Sequence, residues 1–248
     1  QINGFRKNPE LRPDVHYNFI NPKIGLTYLA SHQNHAESKA YVSLAIANKE
    51  PNRDDFEASN QHLPRPETLY DGELGYQYHA LKWEMGVNLY YMAYHDQLIL
   101  TGQINDVGSY TRFNVPESYR TGLEWTASYK PIPAVTLHAN ATLSRNKIKD
   151  FSEYIDDYDK GGQIVNHYAK TDIAFSPGFI SYGGADLEPF YGKWTRQQFF
   201  IHVAGKYVSR QFLDNTANKN RSIQPFAVAD LRFNYTLKMK RIKELGVS

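Results

Sequence analysis

Cysteine is absent from the 248-residue chain. Disulfide bridges, thiolate-ligated metal centres and a cysteine nucleophile are therefore excluded. Basic and acidic residues are nearly balanced, at 28 and 26, so no polybasic region indicates a nucleic-acid partner. The sequence also lacks a phosphate-binding glycine loop, a dinucleotide fingerprint and any zinc-ligand spacing. It accordingly predicts no metal centre, no cofactor and no nucleic-acid binding.

Long apolar runs are missing as well. No stretch approaches the roughly 18 apolar residues that a membrane-spanning helix needs, and the mean hydropathy is −0.60. The N-terminal segment QINGFRKNPELRP has neither the apolar core nor the small-residue cleavage site of a signal peptide. The chain begins without Met, and the C-terminal ELGVS stops just as a new alternating segment starts. We therefore expect residues 1–248 to be an internal piece of a longer protein.

The stretch Ala80–Leu100 alternates between apolar and polar residues along most of its length. One face carries Leu81, Trp83, Met85, Val87, Leu89, Tyr91 and Ala93, and the other carries Lys82, Glu84, Gly86, Asn88, Tyr90 and Tyr94. A period of two predicts a β-strand, and this one is longer than the five or six residues typical of globular sheets. An apolar face opposite a polar face favours a transmembrane β-barrel with lipid outside and a polar lumen inside.

The same pattern recurs along the chain and predicts about nine complete strands, with a tenth beginning near the C-terminus. The predicted strand within Ala169–Glu188 is interrupted by Ser176-Pro177-Gly178, which predicts a kink at that step. The predicted strands lie within Asn18–Ala30, Lys39–Ala47, Gly72–His79, Ala80–Leu100, Phe113–Lys130, Ala134–Lys149, Ala169–Glu188, Arg196–Ser209 and Phe226–Met239.

Short and long connections alternate between these strands. The short ones lie near residues 31–38, 79–81, 131–133, 189–195 and 240–243, and the long ones near 48–70, 101–112, 150–168 and 210–225. A soluble β-sandwich, the alternative that composition alone favours, has no reason to keep this order. Outer-membrane barrels have short periplasmic turns and long extracellular loops. The predicted fold is therefore an all-β, antiparallel transmembrane barrel in contact with outer-membrane lipid.

Aromatic residues support the same fold, with 19 Tyr, 13 Phe and 3 Trp in the sequence. Several of those on the predicted apolar face lie near short-turn ends, as expected of an aromatic girdle at one membrane interface. These are Tyr28, Tyr78, Trp83, Tyr129, Phe199 and Tyr235. Tyr91 and Tyr207 lie nearer the loop ends and suit the opposite girdle.

Several pieces of the sequence form a characteristic succession over nearly the whole chain. They are AYVSLAIANKEPNRDDF (Ala40–Phe56), PETLYDGELGYQY (Pro66–Tyr78), NLYYMAYHDQL (Asn88–Leu98), YRTGLEWTASYKP (Tyr119–Pro131), the Phe175-Ser176-Pro177 step, LDNTANKNRSIQPFAVADLRFNY (Leu213–Tyr235) and the strand start at Leu245. Each piece is weak alone, but their order is specific. In this order they resemble the C-terminal half of the barrel of TonB-dependent outer-membrane receptors, and their style is similar to receptors of the Bacteroidetes.

The resemblance implies a barrel of about 22 strands that is filled by an N-terminal plug, in the outer membrane of a Gram-negative bacterium. Residues 1–248 would then be the C-terminal portion of the barrel, with the plug, the TonB-contacting box and the terminal strand outside the chain. It also implies import of a scarce nutrient, commonly a ferric siderophore, haem or cobalamin, energised by the TonB complex through the missing N-terminal region. Some Bacteroidetes receptors add a surface lipoprotein as a lid.

The loop FSEYIDDYDKGGQIVNHY offers the residues that we predict to bind ligand. They are Tyr154, Asp156, Asp157, Tyr158 and His167. Aromatic rings can stack on a planar ligand, while carboxylates and imidazole can meet cations or hydroxyl groups. A wet surface loop without a binding role is the simpler reading of the same residues. A calcium site is a further alternative, although no EF-hand order appears.

The sequence is also compatible with three other functions. A passive pore or translocation barrel would share the fold but lack a plug upstream of Gln1. A membrane-embedded hydrolase could use the lumen residues His138 and His202, although no nucleophile motif such as G-x-S-x-G accompanies them. A soluble carbohydrate-binding β-protein would have to tolerate the exposed apolar stripe of Leu81–Ala93. We therefore predict a non-enzymatic importer.

Overall fold

The structure is a computed structural model that describes residues 15–32, 35–58, 63–104, 110–157, 159–161, 163–193, 196–238 and 245–247. It is built almost entirely from antiparallel strands, with one short helix, α1 (Arg53–Ala58). The strands are β1 (Lys23–His32), β2 (Ala36–Lys49), β3 (Glu67–Ala80), β4 (Trp83–Ile104), β5 (Tyr110–Ile132), β6 (Val135–Asp156), β7 (Gln163–Asp172), β8 (Phe179–Leu187), β9 (Gln197–Val208), β10 (Gln211–Phe212), β11 (Ser222–Ile223), β12 (Phe226–Leu237) and β13 (Leu245–Val247).

Eleven of these strands form one antiparallel sheet in which chain neighbours pair, from β1 at one edge to β13 at the other. β7 and β8 both pair with β6 and together act as one interrupted strand. The ladder continues on either side of the break, where Ile173 N–H donates to the Asn146 carbonyl and Ser144 N–H donates to the Gly178 carbonyl. The break lies at the predicted kink. Counting β7 and β8 as one, the sheet has nine complete strands and the start of a tenth, as predicted.

The register places the apolar residues of neighbouring strands on one face. Leu89 of β4 lies opposite Leu74 on one side and Leu123 on the other, and Leu123 lies opposite Leu143. At the far side of the sheet Leu231 lies opposite Val203. These side chains are largely exposed, with Leu231 at 61% and Leu74 at 55%. A continuous exposed apolar band across every long strand fits a lipid-facing surface.

The strands of two hairpins extend well past this band, which corrects two of the predicted loops. Residues 101–104 and 110–112 continue the β4–β5 ladder, and residues 150–156 and 163–168 form the upper part of the β6–β7 hairpin. Asp96 and Asp150 have positive φ angles of 54° and 58°, and the regular alternation ends there. Beyond these two residues apolar and polar side chains no longer alternate regularly, so the period-two signal that revealed the other strands is lost.

Beyond the apolar band the extended strands enclose the main buried cluster. It consists of Ile99, Val115, Ile148, Phe151 and Ile173, with Tyr168 packed against it. Ile148 is fully buried. This cluster joins the β4–β5 and β6–β7 hairpins into one body above the band.

The predicted loop at residues 48–70 contains helix α1 and the first residues of β3, which begins at Glu67. The helix is capped reciprocally, because Asp55 N–H donates to the Asn52 side chain and Asn52 N–H donates to the Asp55 carboxylate. Phe56 is buried at 1% exposure, and Asp55 pairs with Arg112 of β5 at 3.5 Å. Pro51, Pro64 and Pro66 exclude a continuous strand in this segment, but they leave room for one helical turn. No helix among the described residues is long and apolar enough to cross a membrane.

Substituting Leu89→Lys tests which face contacts lipid. A lysine at the middle of a lipid-facing strand is expected to lower the free energy of unfolding by about 2–4 kcal/mol. The measurement is chemical unfolding of the full-length protein in phospholipid vesicles. The neighbouring Asn88→Lys, on the polar face, serves as the control and should cost clearly less. Equal losses at both positions would contradict the assignment of the faces.

Candidate functional site

The upper part of the polar face carries a group of aromatic and polar side chains, which we call the lumen cluster: Tyr90, Tyr94, Arg120 and Asn146. Arg120 lies opposite Asn146 in the β5–β6 ladder. Its guanidinium donates to Asn146 Oδ1 at 3.4 Å and to Ser176 Oγ at 3.1 Å. Both partners are neutral. Among the described residues, no carboxylate lies within hydrogen-bond distance of the Arg120 guanidinium to balance its positive charge. The cluster can therefore accept an anionic group beside two phenol rings.

Tyr90 of the lumen cluster is held by a glycine on the next strand. It lies opposite Gly122, and a methyl group on Gly122 would come within 2.6 Å of the Tyr90 hydroxyl and of the Leu143 carbonyl oxygen. The same arrangement recurs lower on the wall, where the Tyr41 ring covers Gly75 and its hydroxyl donates to Asn88 Oδ1 at 3.1 Å. The absence of a side chain at each glycine lets a tyrosine lie flat against the strand.

Nearer the short-turn end, an aspartate on the polar face links two histidines. Asp186 of β8 is 2.7 Å from His138 Nε2 and 2.6 Å from His202 Nδ1. The other ring nitrogen of His202 is 3.3 Å from the Tyr182 hydroxyl. Strand phase identifies both histidines as lumen residues, as predicted. Asp186 was missed, because its carboxylate becomes their neighbour only through the β6–β8–β9 register.

Among the described residues, no serine, threonine or cysteine side chain lies at hydrogen-bond distance from either histidine. The side-chain hydrogen bonds of His138 and His202 go to Asp186 and Tyr182. The hydroxyl beside His202 is thus a phenol, and the aliphatic hydroxyl or thiol of the common nucleophile–base pairs is not seen there. The arrangement joins two imidazoles, a carboxylate and a phenol within the wall, which favours a structural role.

The residues predicted to bind ligand separate into two groups in the β6–β7 hairpin. Tyr154 and His167 are diagonal neighbours on one face, because Tyr154 pairs with Val165 and Ser152 pairs with His167. Tyr154 is 46% exposed, while His167 Nε2 lies 3.3 Å from the Asp150 carboxylate. This face is opposite the one that carries Phe151 and Glu153. The role of Tyr154 and His167 in ligand binding remains a prediction.

The other predicted ligand residues occupy the tip of the hairpin. The Asp157 carboxylate accepts hydrogen bonds from the backbone N–H groups of Asp159 and Lys160, both at 3.1 Å. It therefore shapes the turn, a role typical of aspartate in short loops. Asp156 ends β6 opposite Gln163, and Tyr158 lies outside the described residues.

A buried ion network, which the sequence did not reveal, joins the hairpin to the segment 209–225. Glu153 is 7% exposed and accepts hydrogen bonds from Asn166 and Tyr168, both at 3.2 Å. Arg221 pairs with Glu153 at 3.1 Å and with Asp214 at 2.8 Å. Burial and the negative charge of Glu153 raise the pKa of the Tyr168 phenol. One arginine thus holds two carboxylates that lie 61 positions apart in the chain.

The predicted girdle residues lie on the apolar face at short-turn ends. Trp83 and Tyr129 are paired in register and stacked, with ring centroids 3.8 Å apart. Tyr28 is 69% exposed, and Tyr78 lies two positions from the end of β3. The Tyr235 hydroxyl donates to Gln197 Oε1 at 3.0 Å. Contact of these rings with the membrane interface remains a prediction.

Substituting Gly122→Ala tests the packing of Tyr90 against its glycine. The added methyl group meets a backbone carbonyl that cannot rotate away, so we expect a loss of about 1–3 kcal/mol in the free energy of unfolding. Gly183→Ala is the matched control, because its nearest neighbour is 4.0 Å away. Chemical unfolding of the full-length protein measures the free energy of unfolding of both variants. Equal stability of the two variants would contradict the prediction that the close packing of Tyr90 against Gly122 stabilises the sheet.

Substituting Arg221→Ala tests the ion network. Two carboxylates lose their common cation, which is expected to lower the local opening free energy of residues 209–225 by about 1–3 kcal/mol. Amide hydrogen exchange in that segment should accelerate accordingly, while exchange in β4 and β5 should not change. Tyr168→Phe removes a single hydrogen bond to Glu153 and should have a smaller effect. Unchanged exchange in the Arg221 variant would show that the segment is held by other contacts.

Comparison with protein families identifies the architecture. A family model described as "TonB dependent receptor-like, beta-barrel" matches residues 2–248. No curated protein sequence matches the chain significantly.

Solved structures share the fold at low sequence identity. The ferric-catecholate import receptor Fiu from E. coli K12 is 15% identical over 88% of the chain, with a TM-score of 0.56. The copper transporter OprC is 16% identical over 90%, with a TM-score of 0.61, and the ferric yersiniabactin uptake receptor FyuA from Yersinia pestis is 14% identical over 88%, with a TM-score of 0.56. The chain spans 28%, 32% and 30% of the lengths of these proteins.

Proposed function

The chain belongs to the TonB-dependent receptor-like β-barrel family, and from that premise we propose that it forms part of the barrel of an active importer. The family lies in the outer membrane of Gram-negative bacteria and consists of receptors and transporters, not enzymes. The proposed importer takes up a scarce nutrient and draws its energy from the TonB complex through a plug domain N-terminal to this chain. A surface lipoprotein is a further proposed partner.

The proposed ligand is an anionic iron chelate. Haem and cobalamin are the alternative ligands. The observation that carries this choice is the lumen cluster. Within the described part of the chain, the hydrogen bonds of Arg120 go to the neutral side chains of Asn146 and Ser176, and Arg120 lies diagonally between Tyr90 and Tyr94 in the ladder. A cation with free donors attracts negatively charged ligand oxygens, and phenol rings offer flat faces to aromatic chelating groups. The similar structures named for ferric chelates support the same ligand class.

The hairpin residues Tyr154 and His167 form the second proposed contact. They belong to the part of the β6–β7 hairpin that projects beyond the apolar band, where a ligand would arrive from outside. Their shared face is the exposed one. In this proposal the hairpin makes the first contact and the lumen cluster receives the ligand below it.

Native mass spectrometry of the full-length receptor, purified from outer membranes of iron-limited cells, tests the ligand class. We expect a bound iron chelate, and addition of iron-free chelator should not reproduce its mass. A bound haem or corrinoid would replace the iron chelate as the ligand but keep the importer. An empty barrel that conducts ions steadily in a planar bilayer would instead indicate a passive pore.

Substituting Arg120→Gln tests the lumen cluster directly. Loss of a charge-assisted contact to an anionic ligand is expected to raise the dissociation constant of the ferric chelate about tenfold or more. Arg232→Gln is the matched control, because Arg232 faces the lumen near the short-turn end, opposite His202. Equilibrium binding to the detergent-solubilised receptor gives both values. Equal affinities of wild type and the Arg120 variant would remove the lumen cluster from the binding site.

A further inference from the structure

The wall is interrupted between β7 and β8, where residues 174–177 leave the ladder. We call these four residues the break segment. Its first two backbone N–H groups donate to Asn215 Oδ1 at 2.8 Å and to the Phe212 carbonyl oxygen at 2.9 Å. Asn215 is only 2% exposed. The break segment is therefore a point at which segment 209–225 is attached to the wall.

The break segment is also bonded to the lumen cluster. Ser176 Oγ accepts a hydrogen bond from the Arg120 guanidinium at 3.1 Å. Asn146 is the second acceptor of Arg120, and its own amide donates to Ser144 Oγ at 3.0 Å. The Ser144 hydroxyl in turn donates to the Pro177 carbonyl at 3.1 Å. Both hydrogen bonds of Arg120 thus lead into the break segment.

Ala174 links these two sets of contacts. The Ser176 hydroxyl, which accepts from Arg120, donates to the Ala174 carbonyl at 3.0 Å. The N–H group of Ala174 donates to Asn215 Oδ1. A path of three hydrogen bonds therefore runs from the guanidinium in the lumen to segment 209–225, and each bond after the first joins neutral groups.

Both ends of this path contain a residue with a strained backbone. Phe175 has a φ angle of 52° and Ala217 a φ angle of 56°, a left-handed conformation that is a genuine outlier for a bulky side chain. Such residues persist only where the surrounding contacts hold the backbone, and they cluster at switch regions. A cavity of about 360 Å³ adjoins the break segment, with Ser176 and Phe212 in its lining. The break segment therefore has both strain to release and room to rearrange when one contact is lost.

We propose that the break segment couples the lumen cluster to segment 209–225, so that an anion bound at Arg120 draws the guanidinium away from Ser176 and loosens the attachment of the segment. This inference rests on the proposed binding of an anionic chelate at the lumen cluster. A hydrogen bond between two charged groups is stronger than one to a neutral hydroxyl, so the anion displaces Ser176 from the guanidinium. Because coupling is reciprocal, detachment of segment 209–225 raises the affinity of Arg120 for the anion by the same factor.

Amide hydrogen exchange of the full-length protein without ligand tests the coupling. Ser176→Ala removes the acceptor of Arg120 and should accelerate exchange in segment 209–225 about threefold to tenfold, as expected for one lost hydrogen bond. Arg120→Met keeps the side-chain stem, removes the donors and should have the same effect. The double variant should be no faster than either single variant, because both changes break one link.

Two further variants serve as controls for the exchange measurement. Ser176→Thr keeps the hydroxyl group and should behave as wild type. Ser128→Ala removes a lumen-facing serine at the short-turn end, opposite His138 in the β5–β6 ladder, and should leave exchange in segment 209–225 unchanged. Exchange in the β2–β3 hairpin, which is remote from the break, should be the same in all variants.

The ligand-bound measurement uses the ferric tris-catechol complex, a trianion, as the probe, and equilibrium dialysis of iron reports its binding. Bound complex should accelerate exchange in segment 209–225 of the wild type by the same threefold to tenfold. Ser176→Ala should show no further acceleration, because its link is already broken. Failure of the complex to bind would contradict the proposed ligand class, whereas the ligand-free variants decide the coupling.

Three results would overturn the proposal. The first is unchanged exchange in segment 209–225 of the ligand-free Ser176→Ala and Arg120→Met variants, or additive effects in the double variant. The second is equal acceleration in the β2–β3 hairpin, because the variants would then act through overall stability. The third is a bound complex that leaves exchange in segment 209–225 of the wild type unchanged.

Discussion

The structure depends on one constraint: within hydrocarbon, every backbone N–H and C=O group must be paired inside the protein. In this chain the ladder satisfies that requirement strand by strand, from β1 to β13. Once the backbone is committed to the ladder, side chains alternate between lipid and lumen, and the sequence has little freedom in the membrane-spanning part. The apolar row through Leu74, Leu89, Leu123 and Leu143 and the polar row behind it are two consequences of the same pairing.

The same constraint explains which features could be read from the sequence. Strand phase, strand number and the hairpin order follow from period two, and the structure confirms them. The signal ends near Asp96 and Asp150, the positive-φ residues: beyond them the strands continue without regular alternation, and the sequence predicts loops where the structure has two ladders. Asp186 and the Glu153–Arg221 network were missed for a different reason. Their partners are distant in the chain: strand register brings His138 and His202 to Asp186, and the contact of segment 209–225 with the β6–β7 hairpin brings Arg221 to Glu153.

The nutrient-binding site that we propose lies where the sheet departs from regular alternation. Gly122 makes room for Tyr90, and the break between β7 and β8 produces both the Ser176 contact of Arg120 and the cavity beside Arg145. In our account the lumen side attracts the nutrient. The buried cluster around Ile148 and the Arg221 ion network keep the intervening hairpin in place.

The most direct test of the central claim is uptake of radioactive ferric chelate by cells that carry the full-length receptor as their only route for it. The account predicts saturable accumulation that stops when TonB is deleted or the proton-motive force is collapsed, although the chelate still binds at the cell surface. Uptake that rises linearly with chelate concentration and persists without TonB would contradict active import and identify the barrel as a passive pore.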